Sequence, residues 1–460
     1  MRSAVPRDRR VASRQRLLAA CLGLLFGTSL FASTEAHAHA SPQVRAVVFG
    51  DDRLGRVLVS NRGLLFGGVA GSGWRLMCNE ALGVTTSELP ELVSLPDGGM
   101  LAATSRGLKA SHDGGCSWQS VEPFATIAVL SLARHPELPG HLYATACGKG
   151  ASGLYASDDS GAHWKRLLAA GDGDCLRSIR VAPNHSEHLY VRKLALERMR
   201  FAYTLWSSSD SGESWISHPV TLNADETDFV LLGVSPSRPN LLIAKAEAAN
   251  PGAVAERLLV SRDGGQSFES EWSARSINAA EWSADGASLW IASDEGLFRS
   301  LDEGHTFERQ GPAELVSCLK QTEQGLLLCG HYRGDAVGMV GVGTTSDAGQ
   351  TTATWMLMTD VTEPVACEDD APTVSTCAPY WADWKREVLD GAEPSAAGSP
   401  TTISALPQAG GGAGANVSPA ASAGCSVATS SRSGPLSTCL LLMGAAALRA
   451  CKRRRPSGAC

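Results

Sequence analysis

Two sets of residues in this chain have the types and spacing that chemistry could use. One is Tyr332-Arg333-x-Asp335, which puts a phenol, a guanidinium and a carboxylate within four positions. Glycoside hydrolysis by a Tyr nucleophile, an alternative to the two-carboxylate scheme, uses these group types. The other is an aspartate that returns with fixed companions, in the pattern Ser-x-Asp-x-Gly-x-x-Trp/Phe. Its intact copies are Ser111/Asp113/Gly115/Trp118, Ser157/Asp159/Gly161/Trp164, Ser208/Asp210/Gly212/Trp215, Ser261/Asp263/Gly265/Phe268 and Ser300/Asp302/Gly304/Phe307. Here the companions point to architecture. Asp and Ser oxygens satisfy backbone N–H groups in a turn, Gly supplies a positive φ, and the aromatic closes over a hairpin.

The elements that must position these residues follow from the same pattern. A worn copy keeps Thr345, Asp347 and Gly349 but has Thr352 at the aromatic position, with Trp355 following late. Aligning Asn61-Arg62-Gly63-Leu64 with Ser105-Arg106-Gly107-Leu108 reveals a copy at the start, with Gly67, Val69, Gly71 and Trp74 in register and the aspartate lost. Anchor positions 69, 113, 159, 210, 263, 302 and 347 are 44, 46, 51, 53, 39 and 45 residues apart, the length of a four-stranded propeller blade. Short β-type runs such as Ala128 to Ala133, His141 to Ala146 and Gly153 to Ser157 supply the strands, and similar quartets recur around Val181, Leu231, Ala280 and Val316. The fold class is all-β, a seven-bladed β-propeller over residues 41–365 with a hairpin at each repeated turn.

The pattern resembles the Asp-box, or bacterial neuraminidase repeat. That superfamily includes sialidases, xyloglucan-type glycosidases, sortilin-like receptors and photosystem II assembly factors, and seven repeats are closest in size to the last, a non-enzymatic binding scaffold. The resemblance implies that ligands sit on the loops between second and third strands, opposite the repeated turns. These are Asn61 to Gly63, Ser105 to Gly107, Gly148 to Ser152, Arg192 to Ala202, Glu247 to Glu256, Asp294 to Gly296 and His331 to Val337. They carry Arg62, Arg106, Lys149, Arg192, Lys193, Arg198, Arg200 and Arg333, a candidate basic ring for an anionic ligand such as an acidic sugar. Solvated loop charge is the competing explanation. With Tyr332 and Asp335 these residues form the candidate ligand face. A sialidase would also need an Arg-Ile-Pro sequence before the first blade, and none is present; six repeats are usual there. Fold likeness without a matched site does not make an enzyme. Arg333-Gly334-Asp335 matches a cell-attachment tripeptide, which is too short to use.

Composition excludes other classes. Apolar residues make up 43% and charged residues 19%, which fits neither a disordered acidic chain nor a multi-span membrane protein. The ends carry +4 (residues 1–40) and +6 (residues 425–460), so a net charge of -7 leaves -17 on residues 41–424. So acidic a body is unsuited to nucleic acid. No cofactor or metal motif is present; His37 and His39 at a cleavage site lack further ligands.

The ends read as addresses. Six arginines, Arg2 to Arg16, precede the apolar run Leu17 to Ala32 and the cleavage sequences Ala36-His37-Ala38 or Ala38-His39-Ala40, so residues 1–40 are a signal peptide. Leu18-Ala19-Ala20-Cys21 looks like a lipoprotein box, yet most of the apolar run follows it. Residues 391–424, rich in Ala, Gly, Ser and Pro, form a flexible linker. In residues 425–460, Gly424-Cys425 is followed by the apolar stretch Leu436 to Leu448 and by Lys452-Arg453-Arg454-Arg455. That stretch is short for a spanning helix. The arrangement resembles the C-terminal sorting domain of myxobacterial surface proteins, which implies processing at Cys425, membrane attachment through this segment and a location at the cell surface or outside. A weak membrane anchor is the plainer alternative.

Eight cysteines in the body, an even number without CxxC, favour disulfides. Cys318 with Cys329 and Cys147 with Cys175 are plausible pairs. Cys367 with Cys377 could close a small loop in the aromatic segment 366–390, which either caps the last blade or binds a partner. Cys78 and Cys116, at opposite blade ends, should not join each other. The expectation is an exported, surface-anchored, monomeric propeller that binds a protein or glycan partner at its loop face without catalysis. Its rival is a secreted sialidase-like glycosidase.

Overall fold

The computed structural model describes residues 42–49, 56–67, 73–85, 88–171, 173–197, 200–311, 316–323, 325–330, 340–347 and 349–389. Blade 1 contains Val44–Phe49, Arg56–Ser60, Gly63–Gly67 and Trp74–Met77. Blade 2 contains Glu91–Ser94, Met100–Thr104, Gly107–Ser111 and Gln119–Ser120; blade 3, Ala128–Arg134, Leu142–Cys147, Gly153–Ser157 and Lys165–Ala169. Blade 4 contains Cys175–Ala182, His185–Glu197, Arg200–Ser208 and Ile216–Val220; blade 5, Glu226–Val234, Leu242–Ala248, Glu256–Ser261 and Glu269–Ala274. Blade 6 contains Ala279–Trp282, Leu289–Ser293, Gly296–Ser300 and Glu308–Gln310; blade 7, Val316–Thr322, Gly325–Gly330, Val340–Thr345 and Ala353–Leu357. Each blade is an antiparallel meander. The first strands of successive blades touch, and blade 7 returns to blade 1, giving a seven-bladed β-propeller with one α-helix among the described residues, α1 (Pro372–Trp384).

A blade is covered by a neighbour on both faces, so its second strand need not alternate between apolar and polar residues. Met100–Thr104 and Leu289–Ser293 are buried at every position. Small residues let the blades approach: Ala144, Ala146, Ala244 and Ala246 are fully buried. Polar side chains near the axis tie one blade to the next. Glu91 accepts from Ser131 Oγ and Leu132 N at 2.8 Å, and Glu281 accepts from Lys320 Nζ at 3.2 Å and Gln321 N at 3.0 Å. Ser317 Oγ donates to the Val44 carbonyl at 2.8 Å across the joint between blades 7 and 1.

The repeated turns have the hydrogen bonding that their residue types call for. In blade 4, Ser208 Oγ donates to Asp210 Oδ1 at 2.7 Å, Gly212 N donates to Ser208 Oγ at 2.9 Å, and Ser214 N donates to Asp210 Oδ1 at 2.9 Å. Gly212 has φ 91°, a conformation that a side chain resists.

The aromatics of the repeat depart from the expected role of a lid on their own hairpin. Trp164 and Trp215 close on their own turns by a hydrogen bond, with Nε1 donating to the Gly161 carbonyl at 2.9 Å and to the Gly212 carbonyl at 3.0 Å, and Phe307 lies against its own Gly304. Trp118 Nε1 instead meets Met77 Sδ of blade 1 at 3.2 Å, and Phe268 and Phe307 have no donor to offer. All five rings are half-buried, and each joins a core cluster that its blade shares with the preceding one. Trp118 packs between blades 1 and 2, Trp164 between 2 and 3, Trp215 between 3 and 4, Phe268 between 4 and 5, and Phe307 between 5 and 6. Trp164 stands edge-on to Phe124 at 5.4 Å, Phe268 edge-on to Phe229 at 5.2 Å, and Phe307 tilts against Trp272 of blade 5 at 5.3 Å. The physical reason is area: a large ring buries more apolar surface in the seam between two sheets than over a turn made of glycine and polar residues.

The worn copy forms the same turn, with Gly349 N on Thr345 Oγ1 at 2.9 Å and Thr351 N on Asp347 Oδ1 at 2.9 Å. A hydroxyl at the first position and a carboxylate at the third are therefore enough for the turn, and the missing aromatic costs packing between blades only.

These bonds favour the ionised aspartates. Hydroxyl donors hold Asp210 (Ser214), Asp302 (Thr306) and Asp347 (Thr351) at a pKa of about 2, and the His163 backbone N–H does the same for Asp159. Burial opposes the shift at Asp113 and Asp263, but hydrogen bonds from Ser117 and Ser267 outweigh it. Because the folded-state pKa is depressed, the stability each aspartate contributes is present above its ordinary value of 3.8 and lost as pH falls toward 2. A Tm series by circular dichroism should therefore drop steeply between pH 4 and 2. Asp302→Asn should lower Tm at neutral pH and show a shallower acid slope; an equal slope would mean that other groups set the acid limit.

The four meander strands of blades 1 and 7 come from their own segments, so the ring is not closed by exchanging one of them. A strap, residues 361–389, crosses that joint instead. Val361–Pro364 adds a fifth strand to blade 1, parallel to Trp74–Met77. Trp384, 3% exposed, packs among Leu65, Trp74 and Leu76 of blade 1 and Cys318, Val342 and Met356 of blade 7. Its Nε1 donates to the Val361 carbonyl at 3.1 Å.

The disulfides Cys147–Cys175 and Cys318–Cys329 join as the sequence suggested. The small loop Cys367–Cys377 does not form. Cys367 bonds Cys116 and Cys377 bonds Cys78, each with Cα atoms 5.4 Å apart. The reason is the strap's course. Helix α1 begins between the two cysteines and carries Cys377 to the end of blade 1, leaving Cys367 beside the turn of blade 2. Cys78 and Cys116 are not joined to each other; the strap serves both. The signal segment 1–40, the linker 391–424 and the sorting segment 425–460 with Cys425 lie outside the described residues.

Candidate functional site

The loop face differs from the expected basic ring because the chain's own carboxylates meet several of its cations. Arg62 pairs with Glu387 of the strap, and Lys193 Nζ lies 3.0 Å from Asp174 Oδ2. Arg192, 2% exposed, pairs with Asp228 of blade 5 and also donates to the Phe229 carbonyl. Arg106 and Lys149 are exposed on their loops. Arg198, Tyr332, Arg333 and Asp335 lie outside the described residues, as does the side chain of Arg200.

Arg192 is buried because its segment is not a loop. The hairpin of blade 4 runs from Leu189↔Ser208 to Glu197↔Arg200, nine consecutive pairs, where blades 3 and 5 have five. Alternation then places Leu194, Leu196, Phe201 and Tyr203 on one side. The Leu194/Tyr203 pair packs toward blade 5, with Tyr203 OH on the Thr227 carbonyl and Leu194 against the cluster that contains Phe229. Burial pushes the Tyr203 hydroxyl up to about 12. The next pair, Leu196 opposite Phe201, is 51% and 43% exposed. Beyond Cys175↔Leu194 and Tyr203↔Val220 no strand flanks this hairpin on either side among the described residues.

Beside it, blade 5 gathers charge. Asp228 stands opposite Glu247 across the strand pair. Burial raises the Asp228 pKa, the Arg192 guanidinium works against the rise, and Glu247 adds to it. Lys245 Nζ lies 2.9 Å from Glu247 and 3.3 Å from Glu256. A cleft of about 360 Å³ opens on the same blade, lined by Asn223, Asp225, Glu226, Arg257, Glu271 and Trp272 among others. Arg257 Nη2 donates to Glu226 Oε2 at 2.9 Å, and Asn223 N donates to the same oxygen at 2.6 Å. Burial resists ionisation of Glu226, but Arg257 and Asn223 prevail and lower its pKa. The cleft thus offers both hydrogen-bond donors and acceptors. No group of three or more His, Cys, Asp or Glu side chains suited to a metal occurs among the described residues.

The sequence pattern did not single out Asp228, Glu226 with Arg257, or Trp272. The available signal was the anchor spacing. The two longest intervals, 51 and 53 residues, end in blades 4 and 5, where the extra length builds the long hairpin and the loop over the cleft.

A family model described as Sortilin, neurotensin receptor 3 matches residues 152–326. Among solved structures, the chain is similar to an ancestral GH74 enzyme at 15% identity and a TM-score of 0.45, covering 68% of this chain and 48% of that one. It is also similar to the GH74 xyloglucanase from Xanthomonas campestris at 15% identity and a TM-score of 0.42, covering 67% and 59%. A beta-propeller domain from Myceliophteria thermophila matches at 12% identity and a TM-score of 0.40, covering 64% and 94%. The chain spans about half the length of the first of these structures. No curated protein matches it.

Proposed function

We propose that this protein is an exported, surface-anchored binding propeller of the Asp-box type that engages a protein or glycan partner at its loop face and performs no catalysis. The observation that carries this reading is the long blade 4 hairpin with its exposed Leu196/Phe201 pair. Two large apolar side chains held in water beyond the ladder's flanking strands suit contact with a partner, and a protein surface can cover them. The local cancellation of Arg62, Arg192 and Lys193 by carboxylates supports it too, since a grip on an anionic sugar needs free guanidinium groups. Four disulfides and the partial match to a sortilin model are in line with export. Surface attachment rests on the sorting segment around Cys425.

The glycosidase reading has one observation in its favour, the upward shift that burial and Glu247 give Asp228, since a general acid needs a pKa above the usual carboxylate range. A glycan array and a fluorogenic sialoside assay on one preparation distinguish the two readings. Binding without turnover supports the scaffold. Hydrolysis that disappears in Tyr332→Phe or Asp228→Asn overturns it. For a protein partner, Leu196→Ser with Phe201→Ser should weaken binding roughly thirty-fold while Tm stays nearly unchanged, because an exposed anchor pair contributes to binding more than to folding. Unchanged affinity would move the contact elsewhere on the propeller.

A further inference from the structure

We infer that the strap 361–389 is a two-stage thiol lock on the ring, with Cys116–Cys367 as an exchangeable latch and Cys78–Cys377 as a buried staple. Blades 1 to 7 follow one another along the chain, and the 7/1 joint is closed by packing, by hydrogen bonds and by the strap, whose Val361–Pro364 pairs with blade 1. The strap leaves blade 7 and its sulfurs land on blades 1 and 2, separated in sequence by 299 and 251 residues. The oxidised propeller is therefore a covalent macrocycle, and the protein with both bonds reduced is an open chain whose ends meet at that joint.

The two bonds differ in access. Cys78 and Cys377 are 0% and 5% exposed, under Leu82, Val84 and Val365, and the Cys78 N–H donates to Cys377 Sγ at 3.1 Å. Cys116 and Cys367 are half-buried, and Cys367 sits between exposed Ala366 and Glu368. Thiol–disulfide exchange needs an approaching thiolate, so access orders the two reactions. A dithiol attacks the outer bond to give a mixed disulfide, and its second sulfur displaces the remaining cysteine. This leaves Cys116 and Cys367 as thiols and the reagent as a cyclic disulfide. The first turn of α1 is then held to blade 2 by the bond of Thr373 Oγ1 to the Gly115 carbonyl, at 3.0 Å, while Cys377 still holds the helix to blade 1. The second bond is reached when α1 lifts, and its loss leaves the strap held at the joint by the Val361–Pro364 ladder and the packing of Trp384, without a covalent tie.

The test is graded dithiothreitol treatment of the native full-length protein, with iodoacetamide labelling read cysteine by cysteine in a mass spectrometer. Hydrogen exchange of residues 44–48 and 316–321 is followed in parallel. Cys116 and Cys367 should label roughly ten-fold faster than Cys78 and Cys377. Exchange at the joint should stay low until the second pair opens and then rise. Cys147–Cys175, which joins blade 3 to blade 4 away from the strap, is the internal control, because its reduction should not alter the 7/1 joint. Simultaneous labelling of both strap pairs would overturn the order, and a joint that stays protected with both open would overturn the lock. In Cys116→Ser with Cys367→Ser, labelling of Cys78 and Cys377 should speed up several-fold. If that variant does not fold, graded reduction of the unaltered protein still decides.

Discussion

Replacing Asp228 with alanine should destabilise the propeller by about 3–5 kcal/mol, as measured by urea unfolding at pH 7. The cost comes mainly from what is left behind. The Arg192 side chain is 3% exposed, so without Asp228 its charge is buried against the Phe229 carbonyl alone. Arginine cannot escape by losing its proton. The reverse change, Arg192→Met, should cost less because Asp228 can take up a proton. Its pKa is raised by burial already, and removing Arg192 removes the main opposing influence. A raised acid opposes folding above its ordinary value of 3.8 and ceases to do so once protonated. The deficit of Arg192→Met should therefore shrink as pH is lowered from 7 toward 3.8. A constant deficit across that range would show that Asp228 stays ionised without its partner, through water or Lys245. The double variant, with both charges gone, should recover much of the loss of Asp228→Ala.

Trp384→Ala should cost a further about 3–5 kcal/mol, since it empties a buried indole from the cluster shared by blades 1 and 7. Trp384→Phe keeps most of the apolar area and loses the bond to the Val361 carbonyl, for about 1 kcal/mol. The Ala variant should raise hydrogen exchange at Val44–Phe49 and Val316–Thr322 more than within blade 4, because the indole bridges the joint and not a single blade. Uniform loss of protection would mean that the ring unfolds as one unit and the joint is no weaker than the blades.

A partner that binds at the blade 4 hairpin would contact the propeller at blades 4 and 5, whereas the strap acts at blades 7, 1 and 2. The two are separable by experiment. Leu196 and Phe201 variants test binding on an intact ring, and strap variants test the ring whether or not a ligand is present.

How far the sequence could be read depended on whether its physics was local. A hydroxyl, a carboxylate and a glycine at fixed offsets determine a turn within a few residues, so six repeats and the blade length were legible from residues 111 to 349, and the seventh blade from the copy at Gly67 to Trp74. The same holds for Cys318–Cys329, on neighbouring strands of one hairpin. The aromatic positions were legible as part of the repeat, but not their seat: Trp118 and Phe307 reach the preceding blade, and no spacing within one copy shows that. Arg192 was not legible, because a basic residue between strands looks alike whether it faces water or a carboxylate thirty-six residues away. The extra ladder pairs from Leu194 to Phe201 were visible only as additional spacing. The partners of Cys367 and Cys377 were hidden more deeply, since nothing near them in sequence shows where α1 travels. Short-range hydrogen bonding and hydrophobic period thus set the blades from sequence alone. Only the closed ring decided which seams the aromatics fill, which charges cancel, which apolar pair stays in water, and which blades the C-terminal cysteines hold, because each of those depends on residues brought together across blades.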